Sequence, residues 1–200
     1  MLSKNINFKS FKYKTNNQKI KKDLKNIIIE NNEILKSLTP IYKYQYSKNL
    51  IKKIKKEKNL KIIGMGGSIL GAQAIHDFLK HKIKKNVIFY NNLDSNLKTN
   101  NKSTSIIISK SGNTLETISN VNILIKKNEK NIFITESKES YLRSLALRIK
   151  AEIINHNNFI GGRYSVLSEV GMLPAELMGL DESKFKQLNN LIKNKNFINL

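Results

Sequence analysis

Apolar residues gather in five short runs, at 60–65, 87–90, 105–109, 131–135 and 152–155, with amphipathic stretches between them. The third run holds Ile106-Ile107-Ile108 without a polar break, the pattern of a strand buried on both faces. Helical periodicity follows three of the runs: from 69 to about 81, from Leu115 through Ile118, Val121, Ile123, Leu124 and Ile125, and over 140–150. Strands alternating with helices predict an α/β fold, a doubly wound parallel sheet with right-handed crossovers. In such sheets ligands bind beyond the carboxyl ends of the strands, where the strand order reverses.

The N-terminal part reads differently. Residues 1–16 are polar with scattered aromatics and predict an extended arm or a short strand. Ile20, Leu24, Ile27, Ile28, Ile34, Leu35 and Leu38 fit one helix over 18–38, which Pro40 ends. A second helix is predicted over 42–58, with Tyr46, Leu50, Ile51 and Ile54 inward and a solvated lysine face outward. Past residue 180 the chain offers Asp181-Glu182-Ser183, an amphipathic helix with Phe185, Leu188, Leu191 and Ile192, and an Asn/Lys-rich end. The expected organisation is therefore an arm and helices packing on the core over 1–58, a ligand-binding domain over 59–180 and a C-terminal helix and tail over 181–200.

Composition removes several chemistries. With no cysteine there is no disulfide, thiolate metal site or cysteine nucleophile. No stretch has the length and purity of a membrane span, and the first residues lack a signal-peptide core, so a cytoplasmic protein is expected. The formal net charge of +21 raises the question of nucleic acid. Only Arg143, Arg148 and Arg163 are arginine, however, and the lysines are spread along the chain rather than patched. The charge instead favours steering of small anions.

The glycines fall between Gly64 and Gly179, most of them in three short segments. Gly64-Met65-Gly66-Gly67-Ser68 follows the first strand. It misses the dinucleotide spacing, because Ile69 stands where a third glycine belongs, so no nicotinamide cofactor is expected. The segment reads either as a plain capping turn or as backbone close to a small polar ligand, with Ser68 as a donor. Ser109-Lys110-Ser111-Gly112-Asn113-Thr114 delivers the third strand onto a helix, with Asn113 as the expected N-cap and Glu116 as its capping-box partner. Hydroxyls, backbone N–H groups and a helix N-terminus converge there, as a phosphate requires; a well-capped turn with a solvated lysine is the other reading. Gly161-Gly162-Arg163-Tyr164-Ser165 follows the fifth strand and sets an arginine at the ligand edge. That arginine could make a structural salt bridge or hold an oxyanion.

In order and spacing, these three segments together resemble the N-terminal sugar isomerase (SIS) domain of the glucose-6-phosphate isomerase family. The resemblance spans about residues 60–180. It implies an aldose–ketose isomerisation of glucose 6-phosphate and fructose 6-phosphate through a cis-enediolate, without metal or organic cofactor. It further implies that Ser109, Ser111, Thr114 and Thr117 bind the substrate phosphate with the Lys110 backbone nearby, that Gly67 and Ser68 contact the sugar phosphate, and that Arg163 stabilises the enediolate. The family's glutamate base, and the histidine and lysine of ring opening, belong to motifs C-terminal to this match. His76, His81 and His156 match none of them; Glu116 and Glu169 read as a cap and a helix residue. The expectation is thus an N-terminal half that binds the sugar phosphate, belongs to a homodimeric enzyme when complete, and uses neither nucleic acid nor membrane. A sugar-phosphate sensor and a nucleic-acid-binding module are the rival readings.

Overall fold

The computed structural model describes residues 18–30, 32–93 and 102–186. Its contacts divide the chain into two compact units, one of Lys43–Glu182 and one of Met1–Tyr42 with Ser183–Leu200.

The larger unit holds five strands: β1 (Asn59–Gly64), β2 (Asn86–Tyr90), β3 (Thr104–Ile108), β4 (Asn131–Thr135) and β5 (Glu152–Asn155). All neighbours pair in parallel, in the order β2-β1-β3-β4-β5. β3 and β4 are buried at every position, whereas the outer strands β2 and β5 carry exposed residues. This difference accounts for the unbroken isoleucine run of β3, since only an inner strand hides both faces.

Alternate residues feed two cores. Ile62, Ile106, Ile108, Ile132 and Ile134 face α3 (Lys48–Ile54) and α7 (Glu169–Leu177). Ile63, Ile107 and Phe133 face α5 (Leu115–Leu124) and α6 (Tyr141–Arg148). α4 (Leu70–Leu79) packs on α7, so the doubly wound three-layer arrangement is complete.

One polar pair lies within the second layer. Lys61, in the middle of β1, is 2% exposed; its Nζ donates to Glu129 Oε2 at 2.8 Å and to the Leu124 carbonyl at 2.9 Å. The ammonium thus satisfies a carbonyl at the C-terminal end of α5, where the helix dipole favours a cation. On the other layer, Tyr46 donates to Glu176 at 2.7 Å and Lys48 bridges Glu176 and Glu182, which fixes α3 on α7. Burial, followed by the Glu176 carboxylate, pushes the Tyr46 phenol far above the ordinary tyrosine range.

Several helix expectations are corrected. The helix expected over 18–38 is two, α1 (Gln18–Ile29) and α2 (Glu33–Ser37), because Asn32 accepts from the Leu35 N–H and starts a new helix. The helix expected over 42–58 shrinks to α3, which begins where the Ser47 hydroxyl accepts from Leu50 N. Before it, Tyr44 and Tyr46 stack with ring centroids 5.0 Å apart. α4 stops at Leu79 and passes into a 3-10 turn at Lys80–Lys82. On α5, Leu115 and Ile123 are exposed, so the apolar face is narrower than its sequence implies. The arm expected over 1–16 and most of the C-terminal helix lie outside the described residues; Glu182–Lys186 is a 3-10 helix.

Candidate anion-binding site at the sheet switch point

The strand order reverses between β1 and β3, and the first two glycine segments leave from those two carboxyl ends. Gly64 pairs with Ile108, and a Cβ on Gly64 would lie 2.8 Å from the Ile108 carbonyl oxygen. The first loop turns through a 3-10 helix, Gly66–Ser68, into α4, with Gly67 and Ser68 half-buried.

The second loop carries the phosphate expectation. Ser109 is buried, extends the sheet through its N–H to Ile134 O, and shares a hydrogen bond of 3.2 Å between its Oγ and Thr114 Oγ1. Gly112 has φ +66°, and a Cβ there would lie 2.1 Å from Ser140 Oγ, so no side chain fits. Thr114, not Asn113, is the N-cap of α5, and it makes no side-chain capping bond. Asn113 instead accepts from the Tyr141 N–H at 2.9 Å, tying the loop to α6, and Glu116 is exposed. The first N–H groups of α5 are therefore left without a side-chain acceptor, at the positive end of the helix. Ser111 is exposed, its hydroxyl accepting from Asn113 N. Thr117 is fully buried on α5, with a hydroxyl that has no hydrogen-bond partner among the described residues.

The third loop meets the first. Backbone touches backbone where Gly67 faces Gly162: a Cβ on Gly67 would lie 2.4 Å from the Gly162 carbonyl carbon. Ser165, buried beneath, donates to Gly162 O at 2.7 Å and reaches Gly67 O at 3.4 Å. Arg163 and Tyr164 project from this turn into solvent, and Arg163 makes no hydrogen bond or ion pair among the described residues. The structural salt bridge is therefore not formed among the described residues. The approach to this turn is held by Glu169, a buried residue at the start of α7, whose Oε1 accepts from Asn157 N at 2.7 Å.

Lys110 is not the solvated lysine of the plain-turn reading. Its ammonium donates to the Asn158 carbonyl at 2.8 Å and pairs with Glu136 Oε1 at 3.4 Å, reaching from the second loop to the approach of the third. Glu136 and Asn158 had no local signal, since each follows a strand end without any motif around it.

His156, just past β5, is buried; its Nδ1 lies 2.9 Å from the Asn157 carbonyl, and its Nε2 has no partner among the described residues. Burial holds its pKa below the ordinary histidine value, outweighing the opposing Asn157 bond. A folded-state pKa below the unfolded one means that the unfolded chain takes up the proton first as pH falls. Stability therefore declines on acidification through the ordinary histidine range. Urea midpoints measured from about pH 7.5 to about pH 5.5 should fall, and fall less in His156→Asn, which keeps a donor for the Asn157 carbonyl. Equal slopes in the two chains would remove His156 as the cause.

Among the described residues, no group of three or more His, Cys, Asp or Glu side chains could hold a metal ion, and no helix is long and apolar enough to cross a membrane. The strand order and the loops that leave the switch point define a doubly wound α/β domain of the SIS type. Among solved structures, a hypothetical protein of Thermus thermophilus shares the fold with a TM-score of 0.63 at 19% identity, over 82% of this chain and 45% of that one. Tagatose-6-phosphate ketose/aldose isomerase of Escherichia coli gives 0.53 at 17% identity, over 85% and 47%. The chain belongs to the phosphoglucose isomerase family, whose model matches residues 9–197. It is 32% identical to glucose-6-phosphate isomerase of Methanocaldococcus jannaschii over 76% of this chain, and 38% identical to that of Acholeplasma laidlawii over 62%. It spans 42% and 34% of the lengths of those two relatives.

Proposed function

We propose that these residues form the sugar-phosphate-binding part, over 59–180, of a cytoplasmic, homodimeric enzyme that interconverts glucose 6-phosphate and fructose 6-phosphate. The observation that carries the reading is the N-terminus of α5, whose N-cap Thr114 makes no side-chain capping bond and is touched by the Ser109 hydroxyl, with the hydroxyl of Thr117 unpartnered in the first turn among the described residues. A phosphate seated there accepts from the first-turn N–H groups and from Ser109, Ser111, Thr114 and Thr117, with the Lys110 N–H beside it. Gly67 and Ser68 border the sugar. In the reaction the opened aldose loses the C2 proton and electron density passes through C2–C1 to the carbonyl oxygen; the hydroxyl proton on O2 then moves to O1, and as the C2–O⁻ pair closes to the ketone carbonyl the C1–C2 double-bond pair takes a proton at C1. Arg163 is the group here suited to the enediolate: a permanent cation with planar donors whose charge is in place before the oxyanion forms. The base that carries the proton belongs to the remainder of the longer family members.

The test is NMR of fructose 6-phosphate with the 200-residue chain in D₂O. Line broadening without turnover is expected, weakened about tenfold or more in Ser109→Ala by loss of a hydrogen bond to a charged group. Glucose 6-phosphate bearing deuterium at C2 would place a base within this chain. Absence of broadening would overturn the reading.

A further inference from the structure

The loop that carries the phosphate hydroxyls and the loop that carries Arg163 leave from β3 and β5, which are separated by β4. They are nevertheless joined. Lys110 Nζ, from the second loop, donates to the carbonyl of Asn158, two residues before Ile160 and the Gly161-Gly162 turn. Asn157 donates its N–H to the buried Glu169, and its side-chain oxygen accepts from Phe159 N. The main chain of Lys110 is fixed as well, since its carbonyl accepts from Glu136 N at 3.0 Å and from Thr135 Oγ1 at 3.3 Å. Glu136 therefore holds Lys110 at both ends, by backbone and by its carboxylate.

We infer that Lys110 is a positioning residue: through Asn158 and Glu136 its side chain couples the phosphate loop to the loop of Arg163, so that seating the phosphate sets the guanidinium. This rests on the proposed sugar-phosphate site. Lysine suits the task because its long stem spans the gap over β4, while its ammonium supplies several donors from one atom. With a carbonyl and a carboxylate already engaged, the ammonium acts on the ligand through the other loop. Glu136 and Lys138, 3.6 Å apart, and Lys110 are the charged groups of this cluster, and Arg143 joins it by donating to the Glu136 carbonyl at 3.2 Å.

The experiment titrates the full chain with two probes, inorganic phosphate and an aldonate phosphate whose carboxylate mimics the enediolate oxygens. Lys110→Met should leave the phosphate Kd within about threefold but weaken the aldonate about tenfold, a typical coupling between sites. Arg163→Ala should weaken the aldonate about tenfold in the native chain and add little to Lys110→Met. Glu136→Gln should reproduce the Lys110→Met pattern, and its phosphate affinity should hold or rise as the ammonium is released. Equal loss of both probes would make Lys110 a direct phosphate ligand and overturn the inference, as would additive effects of Lys110→Met and Arg163→Ala. Should the native chain bind neither probe, the sugar-phosphate reading fails, and amide hydrogen exchange decides the coupling by itself. Lys110→Met must then speed exchange over 157–164 while sparing β1 and β4; unchanged exchange there overturns it.

Discussion

A Gly67→Ala chain should fold yet lose affinity for fructose 6-phosphate on the order of tenfold to a hundredfold, while Gly162→Ala keeps it. The asymmetry comes from geometry at one contact. A Cβ on Gly67 would meet Gly162 backbone atoms at 2.4, 2.5 and 2.9 Å, and backbone cannot rotate aside as a side chain does. One on Gly162 would find its nearest neighbour, Gly67 Cα, at 3.6 Å, an ordinary van der Waals contact. The added methyl in Gly67→Ala must push the two loops apart, at a stability cost of about 1–3 kcal/mol for overpacking. Arg163 then moves with its turn, whereas the second loop, built on β3, stays. Titration calorimetry beside a thermal melt separates the two effects, and equal affinities for both variants would show that this contact does not set the site.

The other large effect is on stability. Lys61→Met alone should cost about 3–5 kcal/mol in urea unfolding, because it strands the carboxylate of Glu129, itself 9% exposed, without its cation. Combining it with Glu129→Leu should restore most of that loss, since two charges taken from water are replaced by apolar contacts in the Leu124 and Ile63 layer. Against a total of roughly 5–15 kcal/mol for a domain, the single substitution is a severe defect. If the double variant proves as unstable as the single one, Lys61 matters through its bond to the Leu124 carbonyl at the end of α5, not through the ion pair.

Lys61 also marks what the sequence could not disclose. Its strand was recognisable from the isoleucines around it, and all five strands lie within a residue or so of their expected bounds. That success has a cause: inner parallel strands are buried on both faces, so their sequence signal does not depend on knowing their neighbours. A lysine among them gives no sign that it points inward, because its partner Glu129 lies 68 positions along the chain. The site divides in the same way. The hydroxyl and glycine segments were visible because turns need particular residues locally, and the sheet duly brings their loops to one edge. Asn113 misled for the same local reason: it and Thr114 are both competent caps, and only the Tyr141 N–H, supplied by a distant helix, draws Asn113 away. The engagement of Lys110 by Asn158 likewise depends on β4 pairing between β3 and β5, which no short motif records.

The sheet order also bears on how the chain comes to be folded. Among the described residues β1 is the first strand made, yet it lies between β2 and β3, and parallel partners can join it only after long crossovers have formed. Until Thr104–Ile108 has followed, the apolar edge of β1 waits unpaired, the circumstance in which nascent strands join other chains. A charge in the middle of Leu60-Lys61-Ile62-Ile63 disfavours stacking of that segment against copies of itself. It is neutralised only when Glu129 arrives with the β4 side of the sheet. The lysine that the finished fold buries in an ion pair thus protects the unfinished one while it is still unpaired.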